Sequence, residues 1–326
     1  MSYETETTPL PPTSSPFPRP GVALAVTVGI MALYLVGLSL VVSMGSLLSR
    51  QLDPASVVSI GPSEITPLFF LLSVLLGQFL FLFLPTLIAS TWSTFSRATL
   101  LRLRRPSAKT FLFTFVGMLG ALTLAKVWMV VQGDYFVPDI MREWYAHEMS
   151  DAEAMTRAIK TAGNPILLVS ALLSISIAPG ICEEFLYRGY LQRSLEHRFR
   201  PATSILLTAL LFGAVHLQPI NAIGLAGIGA FLGYVAWSTG SIWPAVFGHA
   251  MNNGVQIIAS HFAPDVGETV TYASAVSGAH PSQLLAAAMF GVALLLFAMR
   301  GLQRSRRKHW GDDPPRGFVE SMDDGL

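Results

Sequence analysis

Eight long runs of apolar residues alternate along the chain with shorter polar segments. Each run is about 17–25 residues long, the length that an α-helix needs to cross the hydrocarbon core of a bilayer. The runs cover residues 22–46, 67–91, 110–132, 164–186, 202–218, 221–239, 243–260 and 282–300. The pattern therefore predicts an all-α, polytopic integral membrane protein with about eight transmembrane helices.

The polar segments between and around these runs divide the chain into five parts. Pro, Ser and Thr dominate the first part and cannot build a core, so it is predicted to be disordered. The second part includes residues 138–161, where apolar residues recur at helical spacing among charged ones and predict an amphipathic helix on the membrane surface. The parts are an N-terminal tail at 1–20, a transmembrane scaffold at 21–163, a four-helix core at 164–260, a loop with the last transmembrane helix at 261–302 and a charged disordered tail at 303–326.

Basic residues follow the second, fourth and eighth apolar runs. These clusters are Arg97, Arg102, Arg104, Arg105 and Lys109, then Arg188, Arg193, Arg198 and Arg200, then Arg300, Arg304, Arg306, Arg307 and Lys308. With an even number of spans, all three clusters lie on one side of the membrane, and basic loops favour the cytoplasmic side. We therefore expect both termini in the cytoplasm and the protein in the plasma or inner membrane.

Composition agrees with a membrane protein. Hydrophobic residues make up 52% of the 326 residues and charged residues only 13%, against about 25% charged residues in soluble domains. The net charge of +1 gives no indication of a nucleic-acid partner, and none is expected. A single cysteine, Cys182, excludes an internal disulfide and a cysteine-based zinc site. Its thiol could be a nucleophile, but a buried apolar residue is the favoured interpretation.

Two adjacent carboxylates and an arginine interrupt the fourth run and its continuation. An ionisable group in the middle of a bilayer costs on the order of 2.5–3.5 kcal/mol, so such residues usually have a function. On a helix, Glu184 and Arg188 share a face and can pair, while Glu183 lies about 100° away. Two interpretations remain open at this point: a functional carboxylate at Glu183, or a charged helix end solvated among lipid headgroups.

Two later runs contain histidines in otherwise apolar surroundings. Phe212 lies one helical turn before His216 and could form a wall of its pocket, and Asn253 shares a helix face with His249. Each histidine alone is more often a packing residue than a catalyst. Together with Glu183 they form a glutamate, two histidines and an asparagine inside predicted spans, which favours a functional site.

Glu183-Glu184-x-x-x-Arg188, Phe212-x-x-x-His216 and His249-x-x-x-Asn253 together resemble the three-motif signature of the CPBP family. This family comprises the CAAX proteases and bacteriocin-processing enzymes, also called the Rce1 or ABI group. The resemblance covers about residues 164–260, and the motifs occur in the family's order. It implies an intramembrane endopeptidase of the glutamic type, with residues 164–260 as its catalytic core.

The resemblance also implies roles for individual residues. Glu183 and His216 are expected to hold and activate a water molecule for attack on a peptide carbonyl, which suits a carboxylate that works as general base and then acid. His249 and Asn253 are expected to stabilise the tetrahedral oxyanion. The implied supporting residues are Glu184, Arg188 and Phe212.

The implied partners are the lipid bilayer and a protein or peptide substrate brought to the membrane. In the eukaryotic branch of the family the substrates are prenylated C-terminal tails, and bacterial branches are linked with bacteriocin maturation, self-immunity and regulatory proteolysis. The sequence does not distinguish these branches, and it leaves the oligomeric state open.

Two other functions compete with metal-free proteolysis. Glu183, His216 and His249 are also a possible catalytic zinc ligand set, although the local zinc motif His-Glu-x-x-His is missing. We expect no metal cofactor and keep zinc as the minority alternative. A transporter or immunity scaffold could use the same residues as an ion pathway, but the two halves show no internal repeat of the kind that transporters contain.

The depth of the site presents a geometric difficulty. His249 lies only a few residues into the seventh run, whereas Glu183 would lie deep in the membrane if the fourth helix ended near residue 186. We therefore expect the fourth helix to continue past the membrane surface through Arg200, with a bend at Pro179 and Gly180. The site would then lie at shallow depth.

Overall fold

The computed structural model describes residues 17–60, 63–93, 96–136, 138, 140, 164–218, 221–262 and 280–310. Within these residues, each of the eight apolar runs forms a helix of 15 residues or more. They are α1 (Pro20–Leu52), α2 (Pro67–Trp92), α3 (Ala108–Tyr135), α4 (Pro165–Glu196), α5 (Pro201–Val215), α6 (Ala222–Thr239), α7 (Trp243–Phe262) and α8 (Pro281–Trp310). The all-α prediction is confirmed.

Six of these helices are long and apolar enough to cross a membrane, namely α1, α2, α3, α4, α6 and α8. The other two runs also form helices, but α5 has only 15 residues and α7 contains the polar residues of the third motif. The chain is therefore an integral, multi-pass membrane protein. Which end of the helices faces the cytoplasm stays a prediction.

A short antiparallel hairpin joins α1 to α2. Its strands are β1 (Val58–Ile60) and β2 (Ser63–Ile65), with Val58 paired to Ile65. The hairpin is attached to α1 by Ser46, whose hydroxyl donates to the backbone oxygen of Glu64 at 2.6 Å, and by the exposed Arg50–Glu64 ion pair at 2.8 Å. These polar contacts hold the hairpin against the end of α1.

The fourth helix extends beyond its predicted run. Instead of ending near residue 186, α4 continues to Glu196, and α5 begins at Pro201. The helix continues because its polar residues find partners inside the protein, while Tyr187 and Tyr190 beside them are fully buried. The expected continuation past residue 186 is confirmed, although the helix ends before Arg200. The interpretation as a solvated helix end is wrong, because Glu184 has no exposed side-chain surface and lies far from either end of α4.

The fourth helix is not uniform along its length. It contains two π-helical segments, Leu172–Ile177 and Phe185–Leu191, and the α-helical segment Ala178–Glu184 between them carries both carboxylates. A third π-helical segment, Gln78–Phe83, lies in α2. Such wide turns are rare and are frequently found at functional sites.

The buried side chains of α4 form the centre of the main core. They include Leu186, Tyr187 and Tyr190. Their partners come from α1, α2, α5 and the α6–α7 turn and include Met31, Leu82, Phe212 and Ile242. A second core joins α3 to α6 and includes Met118, Phe231 and Leu232. Every helix that carries a predicted site residue therefore packs around α4 or α6.

Three segments meet at one end of the bundle. The Ile242 N–H donates to the Arg102 carbonyl at 3.0 Å, and the Ser241 hydroxyl donates to the Arg104 carbonyl at 2.8 Å. The guanidinium of Arg102 forms a buried ion pair with Glu196 at the end of α4. The α2–α3 connection, the α6–α7 turn and the end of α4 are thus locked together, and Arg102 is a buried structural residue.

Three predicted features lie outside the described residues, wholly or in large part. They are the N-terminal tail predicted at 1–20, of which residues 17–20 are described, the amphipathic helix predicted at 138–161, of which residues 138 and 140 are described, and the charged tail predicted at 303–326, of which residues 303–310 are described. These features stay predictions. At the described end of the chain, α8 continues to Trp310, past the boundary expected at residue 302.

Candidate active site

Glu184 and Arg188 form a buried ion pair within α4, as their spacing predicts. Glu184 Oε1 lies 3.1 Å from an Arg188 guanidinium nitrogen, and neither side chain is exposed. A second guanidinium nitrogen donates to the carbonyl of Gly229 on α6 at 2.9 Å. The guanidinium also lies over the ring of Phe212, 4.8 Å from its centre, an arrangement that favours a cation. Arg188 therefore connects α4, α5 and α6.

His249 reaches the two carboxylates from α7. Its Nδ1 lies 2.8 Å from Glu184 Oε1, and its Nε2 lies 3.9 Å from Glu183 Oε2. Because an ionised carboxylate can only accept, Nδ1 must carry a hydrogen and donate it to Glu184. The second nitrogen of the ring is left facing Glu183.

Glu183 has a different environment from Glu184. Its side chain is 13% exposed, and its Oε2 is buried with no hydrogen-bond partner among the described residues. The 3.9 Å separation from His249 Nε2 is too long for a direct hydrogen bond. Glu183 Oε2 is thus a buried carboxylate oxygen that faces the second nitrogen of His249.

His216 lies at the end of α5 next to Phe212. Its Nδ1 is 2.6 Å from the Phe212 carbonyl, so Nδ1 donates and Nε2 of the neutral ring keeps a lone pair. The ring of Phe212 contacts both imidazoles, with centroid distances of 4.7 Å to His216 and 5.8 Å to His249. Phe212 therefore forms the predicted wall and packs against both imidazoles.

Asn253 contacts the backbone of α4. Its Nδ2 donates to the Ile175 carbonyl at 2.9 Å, and its Oδ1 accepts from Asn252 at 2.8 Å. Ile175 lies four residues before Pro179, which has no N–H to give to that carbonyl in an α-helix. Asn253 thus satisfies a carbonyl that the proline leaves without its α-helical donor, and one amide hydrogen remains for another acceptor.

The depth difficulty disappears because α4 extends beyond the start of α7. A Cβ on Gly189 would lie 3.6 Å from the side chain of Ile242, so Gly189 on α4 and Ile242 before α7 lie at the same height along the helix bundle. Glu184 precedes Gly189 by five residues and His249 follows Ile242 by seven, which is about 8 and 10 Å along the two helices. The motifs on α4 and α7 therefore meet at the same level.

Small residues let α4 and α7 approach closely beside the site. A Cβ on Gly180 would lie 3.1 Å from two backbone atoms of α7, the Ala250 nitrogen and the Val246 oxygen. One turn away, the Ser176 hydroxyl donates to the Ala250 carbonyl at 2.7 Å. This contact determines how far His249 reaches toward Glu184.

We expect Gly180→Val to lower activity by about 100-fold, because a displacement of about 1 Å in an active site can cost that much. The valine would push α7 away and lengthen the His249–Glu184 contact. Turnover by the folded, purified variant measures the effect. Gly29→Val on α1 is the control, since a Cβ there meets nothing within 4 Å. Equal rates for the two variants would contradict this prediction.

Zinc bound by Glu183, His216 and His249 was the minority alternative for these residues. Each histidine donates its Nδ1 hydrogen, one to Glu184 and the other to a carbonyl, which is also how metal-ligating histidines are usually held. No three His, Cys, Asp or Glu side chains in the described part of the chain form a group that could hold a metal ion. Whether the reaction depends on a metal stays a prediction.

One contact of Glu183, with Gln78, was missed in the sequence. Gln78 on α2 points its Nε2 at Glu183 Oε1, 3.5 Å away, and at the hydroxyl of Tyr34 on α1, 3.1 Å away. A glutamine inside the long apolar run at 67–91 was a visible signal, because the same rarity of polar residues had drawn attention to the histidines.

Residues 165–255 match the family model described as type II CAAX prenyl endopeptidase, Rce1-like. The matched range begins with α4 and ends within α7, so it contains all seven predicted site residues and leaves α1, α2, α3 and α8 outside. No curated protein and no solved structure matches the chain.

Proposed function

Because residues 165–255 make this chain a CPBP/Rce1-like membrane protease, we propose that it is a glutamic-type intramembrane endopeptidase with Glu183 as its general base. The observation that carries the proposal is the buried, unpartnered Oε2 of Glu183 opposite His249 Nε2. A lone carboxylate oxygen beside an imidazole, within an otherwise apolar helix bundle, is suited to moving a proton.

In the first step, Glu183 Oε2 and the Nε2 lone pair of His216 accept hydrogen bonds from the attacking water. One water proton moves to Glu183 while the hydroxyl oxygen bonds to the carbonyl carbon of the peptide. The carbonyl π electrons move to the oxygen, giving a tetrahedral oxyanion. The remaining N–H of Asn253 donates to this oxyanion, and His249 Nε2 donates when its ring carries both protons.

In the second step, Glu183 returns its proton to the peptide nitrogen. The carbon–nitrogen bond then breaks, leaving a carboxylic acid on one product and an amine on the other. Glu184 Oε2 is also buried without a hydrogen-bond partner among the described residues, but we assign the transfer to Glu183, because the Glu184 side chain has no exposed surface and its Oε1 lies against both Arg188 and His249. Its carboxylate orients the imidazole and compensates the charge of a doubly protonated ring.

The proposed substrates are peptide segments of membrane-associated proteins. The matched family is described as a type II CAAX prenyl endopeptidase, so we propose lipid-anchored C-terminal peptides as the first substrates to test. A bacteriocin-type or regulatory membrane peptide is the second class. Matched peptides with and without the lipid anchor distinguish recognition of the peptide from recognition of the lipid.

Purified protein in liposomes should cleave such a peptide in the presence of a strong chelator at a rate within about twofold of the untreated rate. This expectation follows from a mechanism in which side chains alone activate water. Mass spectrometry identifies the bond, and cleavage in ¹⁸O-labelled water should put one label into the new carboxylate. Loss of activity on chelation, restored by zinc, would overturn the metal-free mechanism, and unlabelled product would overturn hydrolysis.

A further inference from the structure

Gln78 reaches the predicted general base from outside the family-matching segment. Its side chain is 3% exposed and begins the π-helical segment of α2. Its Nε2 lies 3.5 Å from Glu183 Oε1 and 3.1 Å from the Tyr34 hydroxyl. The first distance is at the long end of the hydrogen-bond range, as is common for catalytic contacts before substrate binds. The second helix thus supplies a contact to Glu183, and the first helix supplies a contact to Gln78.

The chemistry of the three groups determines how the Gln78 amide points. An ionised carboxylate can only accept a hydrogen bond, so the amide must present its N–H group to Glu183. Tyr34 does not influence this choice, because a hydroxyl can donate or accept. This orientation leaves the other polar atom of the amide, Oε1, buried without a hydrogen-bond partner in the described structure, which costs free energy of folding. The contact with Glu183 therefore selects the amide orientation.

We propose that Gln78, held by Tyr34, is a positioning residue for Glu183. The amide occupies Oε1, so the proton from water goes to Oε2, the oxygen that faces His249 Nε2. When Glu183 is protonated at Oε2, its Oε1 is still an acceptor, so the N–H group of Gln78 can keep the same contact and the Tyr34 hydroxyl can keep accepting from Gln78. A neutral amide and a hydroxyl therefore serve both protonation states of the carboxylate. The inference rests on the proposed function.

The test uses the full-length protein in liposomes and a cleaved lipid-anchored peptide. Gln78→Met keeps the shape of the side chain and removes both donors. We expect kcat to fall by about 10- to 100-fold, as for loss of one hydrogen bond to a charged group, with KM unchanged within about twofold. An unchanged kcat would overturn the proposal, and so would a rise in KM alone, which would make Gln78 a substrate contact.

The chain contains a matched control. Gln192 is fully buried, and it donates to another buried carboxylate, Glu196 Oε1, at 2.9 Å. Gln192→Met should lower the yield of folded protein while the kcat of the folded fraction stays within about twofold of wild type. An equal fall in kcat for both glutamine variants would mean that Gln78 is only a structural residue.

A double-mutant cycle separates positioning from a general loss of packing. Tyr34→Phe keeps the ring and should cost less than Gln78→Met, and the two changes together should cost no more than Gln78→Met alone, because they break one chain of contacts. Additive losses in kcat would contradict the proposal that Tyr34 acts on Glu183 through Gln78. In a Glu183→Gln background, Gln78→Met should change the residual rate by less than about twofold. Full activity of Glu183→Gln would instead overturn the proposed function, so the two failures are distinguishable.

Discussion

Glu183→Gln should lower the rate of peptide hydrolysis by about 10²–10⁴-fold, the contribution that general acid–base catalysis usually makes. The amide has nearly the same shape as the carboxylate, but it cannot take a proton from water at its carbonyl oxygen under working conditions. Glu184, Arg188 and His249 keep their mutual contacts, so the folded structure should survive. The loss should appear in kcat, because the missing step is chemical.

Initial cleavage rates in liposomes, with equal amounts of folded protein, measure this effect. Glu64→Gln is the matched control, since Glu64 is an exposed glutamate in the α1–α2 hairpin with a side chain 58% exposed. It should retain activity within about twofold. Retention of more than about a tenth of the wild-type rate by Glu183→Gln would contradict the assignment of Glu183 as general base.

Arg188→Met should destabilise the folded protein by about 3–5 kcal/mol, the usual cost of leaving one member of a buried ion pair without its partner. The substitution removes the guanidinium from Glu184, which has no access to solvent, and from the Gly229 carbonyl. His249 alone then faces the Glu184 charge. Activity should be lost with the fold, because the same carboxylate orients His249.

Unfolding in mixed detergent micelles, followed by a spectroscopic signal, measures the stability change. Combining Arg188→Met with Glu184→Gln should recover part of the loss, because the uncompensated charge is gone. Arg50→Met is the control: its ion pair with Glu64 is slightly closer, at 2.8 Å against 3.1 Å, but both of its side chains are more than half exposed, and such pairs contribute about 0–1 kcal/mol. Equal losses for Arg188→Met and Arg50→Met would show that burial of the pair is unimportant.

The helices and the pairing within α4 could be predicted because both depend on short stretches of sequence. Apolar runs of bilayer length determine where the helices lie, and the i,i+4 spacing brings Glu184 and Arg188 together in any helix. The apolar run itself ends near residue 186, and the depth argument that extended the helix through Arg200 took it slightly past its observed end at Glu196. In the structure, Arg188 finds the Gly229 carbonyl on α6, so the polar residues stay inside.

Contacts between distant helices could not be predicted from the sequence. The spacing placed Asn253 on the same face as His249, but its bond to the Ile175 carbonyl depends on how α7 packs against the turn before Pro179. Gln78 was visible as a rare polar residue, yet its contact with Glu183 depends on the rotation of α2 about its axis. Neither quantity is encoded in a local pattern.

The two π-helical turns of α4 determine which direction the side chains after each turn face. A π-turn holds one residue more than an α-turn, and each residue corresponds to about 100° of rotation. The first wide turn contacts α7 through Ile175 and Ser176, the carboxylate segment after it reaches His249 on the same helix, and Arg188 in the second wide turn and Gln192 after it face α6. The length of α4 between Pro165 and Glu196 is consequently as important as its composition, since a single-residue deletion would rotate one of these faces away from its partner.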